Sequence, residues 1–238
     1  MGLPINEEVV SYSQITLPSG KKLGIKPWKV KEEKELLFAI DGQEDDAVAK
    51  REIVKMIGKC VDNQAVFKSL SNVDYVALLT ELRMISKGLK IEYTYKCTNP
   101  KCRFELSDDV NLKKDVKVKP YSGGTHVVNP TLSLVLKEVS FEEFDKLKEN
   151  YTKTTEYNYN FILRSIEALI IDGEVYTEFT QDELSAKLDT LESNEYKAIS
   201  TAIDASLSSI ELSKKLTCKR CKNEMDVEFG DLYYFLAF

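Results

Sequence analysis

The chain has 238 residues, 43% of them hydrophobic and 30% charged, a balance typical of a folded globular protein and not of a disordered one. Its 33 basic and 39 acidic residues leave a net charge of −6, which argues against a dedicated nucleic-acid-binding protein, because such proteins usually carry excess positive charge. No apolar run approaches the roughly 20 residues of a membrane-spanning helix, and MGLPINEEVV lacks the features of a secretory signal, so we expect a cytosolic protein without a membrane span.

The first 88 residues are predicted to form a β segment followed by helices. Residues 12–28 alternate apolar and polar side chains on either side of a Pro-Ser-Gly turn. Helical spacing of apolar residues follows over 29–40, 45–60 and 71–88. Cys60 falls on the apolar side of the second of these helices, so we interpret it as a small buried hydrophobic residue.

The sequence then changes to alternation with a period of two, which predicts short strands over residues 89–121. A further strand is expected after Gly123-Gly124, and a hairpin is expected around Asp172-Gly173. Between and after these strands the pattern is mainly helical. The helix signals are two capping boxes, Ser140 with Glu143 and Thr180 with Glu183, and apolar residues at helical spacing over 155–170 and 193–210.

Four of the five cysteines form two close pairs. Cys97 and Cys102 lie in YKCTNPKCRF, and Cys218 and Cys221 lie in LTCKRCKN. Each pair stands between two predicted strands, so each segment is interpreted as a β-hairpin whose turn carries two thiols. Four thiolates match a closed tetrahedral zinc site with Zn–S distances of about 2.3 Å, and soft sulfur ligands favour zinc or iron. An iron–sulfur cluster, disulfides and free thiols are the alternatives.

A site with four cysteine ligands has no open coordination position, so the predicted Zn²⁺ is structural and not catalytic. The long separation between Cys102 and Cys218 implies that the middle of the chain is inserted into a zinc ribbon. We therefore predict an α+β fold, in which helical blocks accompany a small β zinc ribbon assembled from two distant cysteine knuckles. The predicted parts, expected to form one compact unit, are 1–88 (β segment and helices), 89–122 (first knuckle), 123–207 (inserted, mainly helical) and 208–238 (second knuckle and tail).

The sequence does not indicate an enzyme. His126 is the only histidine, and no nucleophile, phosphate-binding or zinc-protease motif is present. We therefore expect a protein that acts through protein–protein interaction. The main alternative is a zinc ribbon that binds nucleic acid or is associated with transcription. In that case the basic segment KKLTCKRCK would contact phosphates, and Tyr93, Tyr95 and Phe104 would stack on bases. The negative net charge argues against it.

The segment DLYYFLAF, residues 231–238, concentrates apolar and aromatic side chains that are costly to leave in water. It either packs on the core of its own chain or docks on a partner, because aromatic residues dominate interface anchors. Trp28, the single tryptophan, is a second candidate anchor, although core packing also explains it. The candidate partner-binding residues are Leu232, Tyr233, Tyr234, Phe235, Phe238 and Trp28.

Three further segments form a recognisable set: LPSGKKLGIKPWKVKEEKELLFA, LRMISKGLKIEYTYKCTNPKC and CKRCKNEMDVEFGDLYYFLAF. In sequence and in order they resemble the baseplate hub assembly family of T-even-type, contractile-tailed bacteriophages. The resemblance implies a hub protein or hub assembly factor that acts by protein–protein contacts. Its implied partners are baseplate hub or tape-measure proteins. Its implied locations are the host cytoplasm during assembly and the tail baseplate of the virion.

Overall fold

A computed structural model of the protein describes residues 10–41 and 46–229, in which helices and strands are mixed along the chain, in agreement with the α+β class. The helices are α1 Val30–Ile40, α2 Asp46–Gly58, α3 Gln64–Lys68, α4 Asn72–Lys87, α5 Leu112–Asp115, α6 Phe141–Asn150, α7 Thr154–Arg164, α8 Gln181–Leu188 and α9 Ser193–Ser206. The strands are β1 Ser13–Thr16, β2 Lys22–Ile25, β3 Lys90–Lys96, β4 Glu105–Asn111, β5 Val116–Lys119, β6 Thr125–Asn129, β7 Leu132–Leu136, β8 Ile166–Ile171, β9 Glu174–Tyr176, β10 Ser209–Thr217 and β11 Glu224–Glu228. None of the helices in these two ranges is long and apolar enough to cross a membrane.

The chain divides into two compact units. The first comprises Met1–Phe67, Val76–Lys117 and Ile210–Phe238, and the second comprises Lys68–Tyr75 and Val118–Ser209. Cys97, Cys102, Cys218 and Cys221 all belong to the first unit, and the larger part of the second unit, Val118–Ser209, is inserted between the two cysteine pairs.

The first unit begins with the hairpin of β1 and β2, as the alternating pattern predicts. Its turn closes with a hydrogen bond from the Gly20 N–H to the Leu17 carbonyl (2.8 Å), and Gly20 takes a φ of +84°, a conformation that glycine adopts without steric cost. Leu17, Leu23 and Ile25 are buried and anchor the hairpin on the core. The backbone then continues into α1.

Helices α1, α2 and α4 supply most of the remaining core of the first unit. Ile53 and Ile57 of α2 and Leu82 of α4 are fully buried, at the positions expected for one face of a helix. Cys60 is also fully buried, as predicted, and burial raises the pKa of its thiol to about 11. It thus behaves as a small hydrophobic residue.

Two hairpins complete the first unit. Strands β3 and β4 pair antiparallel from Lys90↔Asn111 to Lys96↔Glu105. Strands β10 and β11 pair antiparallel up to Thr217↔Glu224, and β5 joins β10 to give a three-stranded sheet of order β11-β10-β5. In both hairpins, the loop that joins the two paired strands carries a cysteine pair.

The second unit is a four-stranded antiparallel sheet of order β6-β7-β8-β9, with helices α7, α8 and α9 packed on it. The shared core consists of apolar side chains from the inner strands and the three helices. These are Leu132, Leu134, Leu136, Ile162, Leu163, Ile166, Leu169, Leu184, Leu188, Ile199 and Ile203.

Both predicted capping boxes are present in the second unit. The Ser140 hydroxyl accepts a hydrogen bond from the Glu143 N–H (3.3 Å), and the Glu143 carboxylate accepts one from the Ser140 N–H (3.2 Å). Thr180 and Glu183 make the same reciprocal bonds at the start of α8. The hairpin predicted at Asp172-Gly173 joins β8 to β9.

The prediction of one helix over residues 155–170 is wrong. Helix α7 ends at Arg164, and Ile166–Ile171 forms strand β8 between β7 and β9. The run IEALII contains apolar residues that suit either element, and pairing with two neighbouring strands decides in favour of the sheet. The helix predicted over 193–210 similarly ends at Ser206, because the chain enters β10 at Ser209.

Candidate metal centre

The two cysteine pairs occupy equivalent positions in two hairpin loops. In the loop between β3 and β4, the Cys97 N–H donates to the Phe104 carbonyl (2.9 Å). In the loop between β10 and β11, the Cys218 N–H donates to the Asn223 carbonyl (2.9 Å). The first cysteine of each pair thus directly follows the end of a strand, and the loop folds back over it.

The residue after the second cysteine has a positive φ in both loops. Arg103, after Cys102, has a φ of 43°, and Lys222, after Cys221, has a φ of 61°. Outside glycine this left-handed conformation is uncommon and costs about 1–2 kcal/mol. Its occurrence at matched positions shows that both backbones make the same tight reversal around their thiols.

The four sulfur atoms lie within 4.8 Å of one another. Two of the sulfur–sulfur distances are between cysteines of different hairpins: Cys97 Sγ to Cys221 Sγ is 3.6 Å, and Cys102 Sγ to Cys218 Sγ is 3.9 Å. Four sulfurs that surround one zinc ion tetrahedrally at about 2.3 Å are about 3.8 Å apart, whereas disulfide sulfurs are about 2.0 Å apart. All four cysteines are free thiols. The spacing is that of a four-thiolate metal site and not of two disulfides.

The cluster rests on a small apolar core. Cys97 and Cys218 are buried, Cys102 is half-buried and Cys221 is exposed. The supporting side chains belong to both hairpins: Leu106, Leu216, Met225, Tyr93, Tyr95 and Val227. One side of the cluster is thus shielded from water, which is typical of a metal site that holds a fold together.

Backbone N–H groups affect the thiols more than the surrounding lysine and arginine side chains do. The N–H of Cys221, followed by that of Arg220, lowers the pKa of Cys218 to about 7, in opposition to burial. Burial raises the pKa of Cys97 to about 12, although the Asn99 N–H acts in the opposite direction. A divalent ion would favour the thiolate form of every ligand. Lys96, beside Cys97, pairs with Glu105 (3.3 Å).

Side-chain contacts between the two loops are a feature that sequence reasoning missed. The Asn223 side-chain amide donates to the Thr98 hydroxyl (3.0 Å), and the Asn99 amide approaches the Cys221 sulfur (3.8 Å). The side-chain oxygen of Asn99 also accepts a hydrogen bond from the Lys101 backbone N–H (3.0 Å). The Asn-Pro step inside the first pair was the available signal, since asparagine often bonds to backbone in turns.

The other predicted site residues are the candidates for partner binding. Leu232, Tyr233, Tyr234, Phe235 and Phe238 lie outside the described residues, and their role in partner binding stays a prediction.

Trp28 is only 6% exposed, its backbone N–H donates to the Ser86 hydroxyl (3.0 Å), and the Lys87 ammonium lies 5.9 Å from the centre of its ring. Core packing therefore accounts for the burial of Trp28, and its role as a partner-binding anchor stays a prediction.

Fold and site together define a mixed helix-and-sheet protein whose distant hairpins meet in a four-cysteine cluster. Residues 9–237 match the model of the family described as T4 bacteriophage base plate protein, and the chain belongs to that family. No curated protein matches the chain, and no solved structure does. The family match includes both cysteine pairs and supports a structural role related to the phage baseplate.

Proposed function

We propose that the protein builds the tail baseplate of a phage through protein–protein contacts, either as a hub subunit or as a hub assembly factor. The observation that carries the proposal is the family match, which extends over residues 9–237 and therefore over both compact units. The segments that resemble hub assembly proteins support the narrower assignment to the hub. The partners are then hub or tape-measure proteins, met in the host cytoplasm during assembly and, for a subunit, retained in the virion tail.

The proposed cofactor is one structural Zn²⁺ bound by Cys97, Cys102, Cys218 and Cys221. Sulfur–sulfur distances of 3.6 and 3.9 Å suit tetrahedral zinc, and the hairpin loops present backbone N–H groups to the sulfurs. Four protein ligands fill the coordination shell, so the ion would fix shape and carry out no reaction. The protein is accordingly proposed to be a structural component and not an enzyme.

Affinity purification of the tagged protein from infected cells, followed by mass spectrometry, tests the assembly role. Hub or tape-measure proteins should co-purify, and the same analysis of finished particles separates a retained subunit from an assembly factor that leaves. Recovery of RNA polymerase or nucleic acid in place of baseplate proteins would favour the nucleic-acid-binding alternative and overturn the proposal.

Elemental analysis of the purified protein tests the zinc site. One zinc per chain is expected for the wild type and for Cys60→Ala, whose cysteine is buried away from the cluster. Cys218→Ser should lose the metal. Two results would refute structural zinc. One is iron bound in a light-absorbing iron–sulfur cluster, and the other is a protein whose melting temperature does not change when its metal is removed.

A further inference from the structure

The sheet of the second unit has one face covered by helices and another face with exposed apolar residues. Directly opposed residues of antiparallel strands point to the same face, so the register assigns every side chain to a face. The row His126↔Leu134↔Leu169↔Tyr176 crosses all four strands and includes the core residues Leu134 and Leu169. That row identifies the covered face.

The adjacent row lies on the opposite face and is here named the outer row. It consists of Val127, Ser133, Ile170 and Val175, which the register places side by side from β6 to β9. Val127 is 67% exposed and Val175 is 63% exposed, while Ser133 and Ile170 are half-buried. Because strands are about 4.8 Å apart, the row is about 14 Å long. The row is therefore long enough to contact a segment of another protein and is more than a single exposed side chain.

The β9 end of the outer row is acidic. Asp172 in the β8–β9 turn and Glu178, two residues after β9, are both exposed and flank Val175 along the chain. Within residues 10–41 and 46–229, no lysine or arginine forms a salt bridge with either carboxylate.

We propose that the outer row is the docking surface for a segment of another protein that presents apolar side chains flanked by lysine or arginine. The apolar row provides area that is released from water on binding, and the exposed carboxylates of Asp172 and Glu178 select a basic partner by charge complementarity. A second copy of this chain is disfavoured, because a symmetric contact would bring two acidic hairpins together. The inference adds to the proposed function a surface and a partner chemistry, and it rests on that function only for the origin of the partner among the phage proteins.

Site-specific photocrosslinking in infected cells tests the proposal. A photoreactive p-benzoylphenylalanine replaces Val127 or Val175, and in a matched control it replaces Val30, which is 80% exposed on helix α1 of the first unit. The expected result is one crosslinked phage protein from positions 127 and 175 but not from position 30. The crosslinked peptide should contain apolar residues with adjacent lysine or arginine.

Charge and size variants provide an independent measurement on the same full-length protein. Val127→Glu with Val175→Glu, or Glu178→Lys alone, should reduce capture of that phage protein about tenfold, whereas Val30→Glu should not. Circular dichroism checks that each variant is folded. Because the crosslinking positions are exposed, that arm still decides the question if a charge variant fails to fold.

Several outcomes overturn the inference. They are crosslinks to a second copy of this chain, crosslinked peptides without basic residues, no crosslink from either position, or undiminished capture by a folded variant. The proposed function is judged separately by co-purification with the wild type. Baseplate proteins captured without crosslinks from the outer row would refute the surface alone, and a basic segment of a protein unrelated to the baseplate would refute the function alone.

Discussion

Removal of the metal is expected to lower the stability of the first unit by an amount that the chain topology sets. A metal that joins Cys102 to Cys218 links residues 116 positions apart. Treated as a crosslink that restricts the unfolded chain, a closure of this length contributes about 5 kcal/mol. Folded proteins are stable by only about 5–15 kcal/mol in total, so the loss is a large fraction of the stability.

The measurement is thermal unfolding of the wild-type protein with and without a zinc chelator. For a chain of this size, 1 kcal/mol corresponds to about 2–4 °C, so the transition of the first unit should fall by about 10–20 °C. Cys218→Ser should melt at the temperature of the chelated wild type and should show no further response to chelator. Cys60→Ala is the matched control, since it removes a buried thiol of the same unit but leaves the cluster intact.

Two results would refute this reasoning. One is a wild-type protein that contains metal but melts at the same temperature after complete chelation. The other is Cys218→Ser protein that retains one metal per chain and the wild-type melting temperature. The first result would mean that the hairpins hold their arrangement through the apolar cluster alone, and the second would mean that Cys218 is not required to bind the metal.

Three further predictions concern residues of known geometry. Lys222→Gly should leave the melting temperature unchanged or raise it, because the Lys222 φ of 61° suits glycine, whereas Lys222→Val should lower the stability by about 1 kcal/mol or more. Equal melting temperatures for the glycine and valine variants would contradict this. Leu134→Ala should cost about 2–5 kcal/mol in urea unfolding because Leu134 is fully buried, while Val127→Ala on the exposed face should cost under about 0.5 kcal/mol. Ser140→Ala should cost about 1 kcal/mol through loss of the cap of α6, and Ser140→Asp should restore most of it; an unchanged urea midpoint for Ser140→Ala would show that the cap contributes little.

Local patterns predicted those parts of the fold that local interactions stabilise. The capping boxes at Ser140 and Thr180 specify where helices begin, because their hydrogen bonds join residues three positions apart. The hairpin at Asp172-Gly173 follows from a turn that requires positive φ at both residues, which are found at 52° and 88°. The helix predicted over residues 166–170 is wrong for the opposite reason: the partners of these residues in β7 are 30 or more positions away and leave no local signal.

Two cysteine pairs in hairpin turns can be predicted from the amino-acid sequence alone, because pairing within a hairpin and the chemistry of thiols both depend on short spacings. Three features follow only from the folded chain: the pairs meet with sulfurs 3.6–3.9 Å apart, Asn99 and Asn223 connect their loops, and Val127 and Val175 lie on one face of a sheet. These features join residues separated by tens to more than a hundred positions. Their proximity is set by the packing of whole elements, which no window along the chain contains.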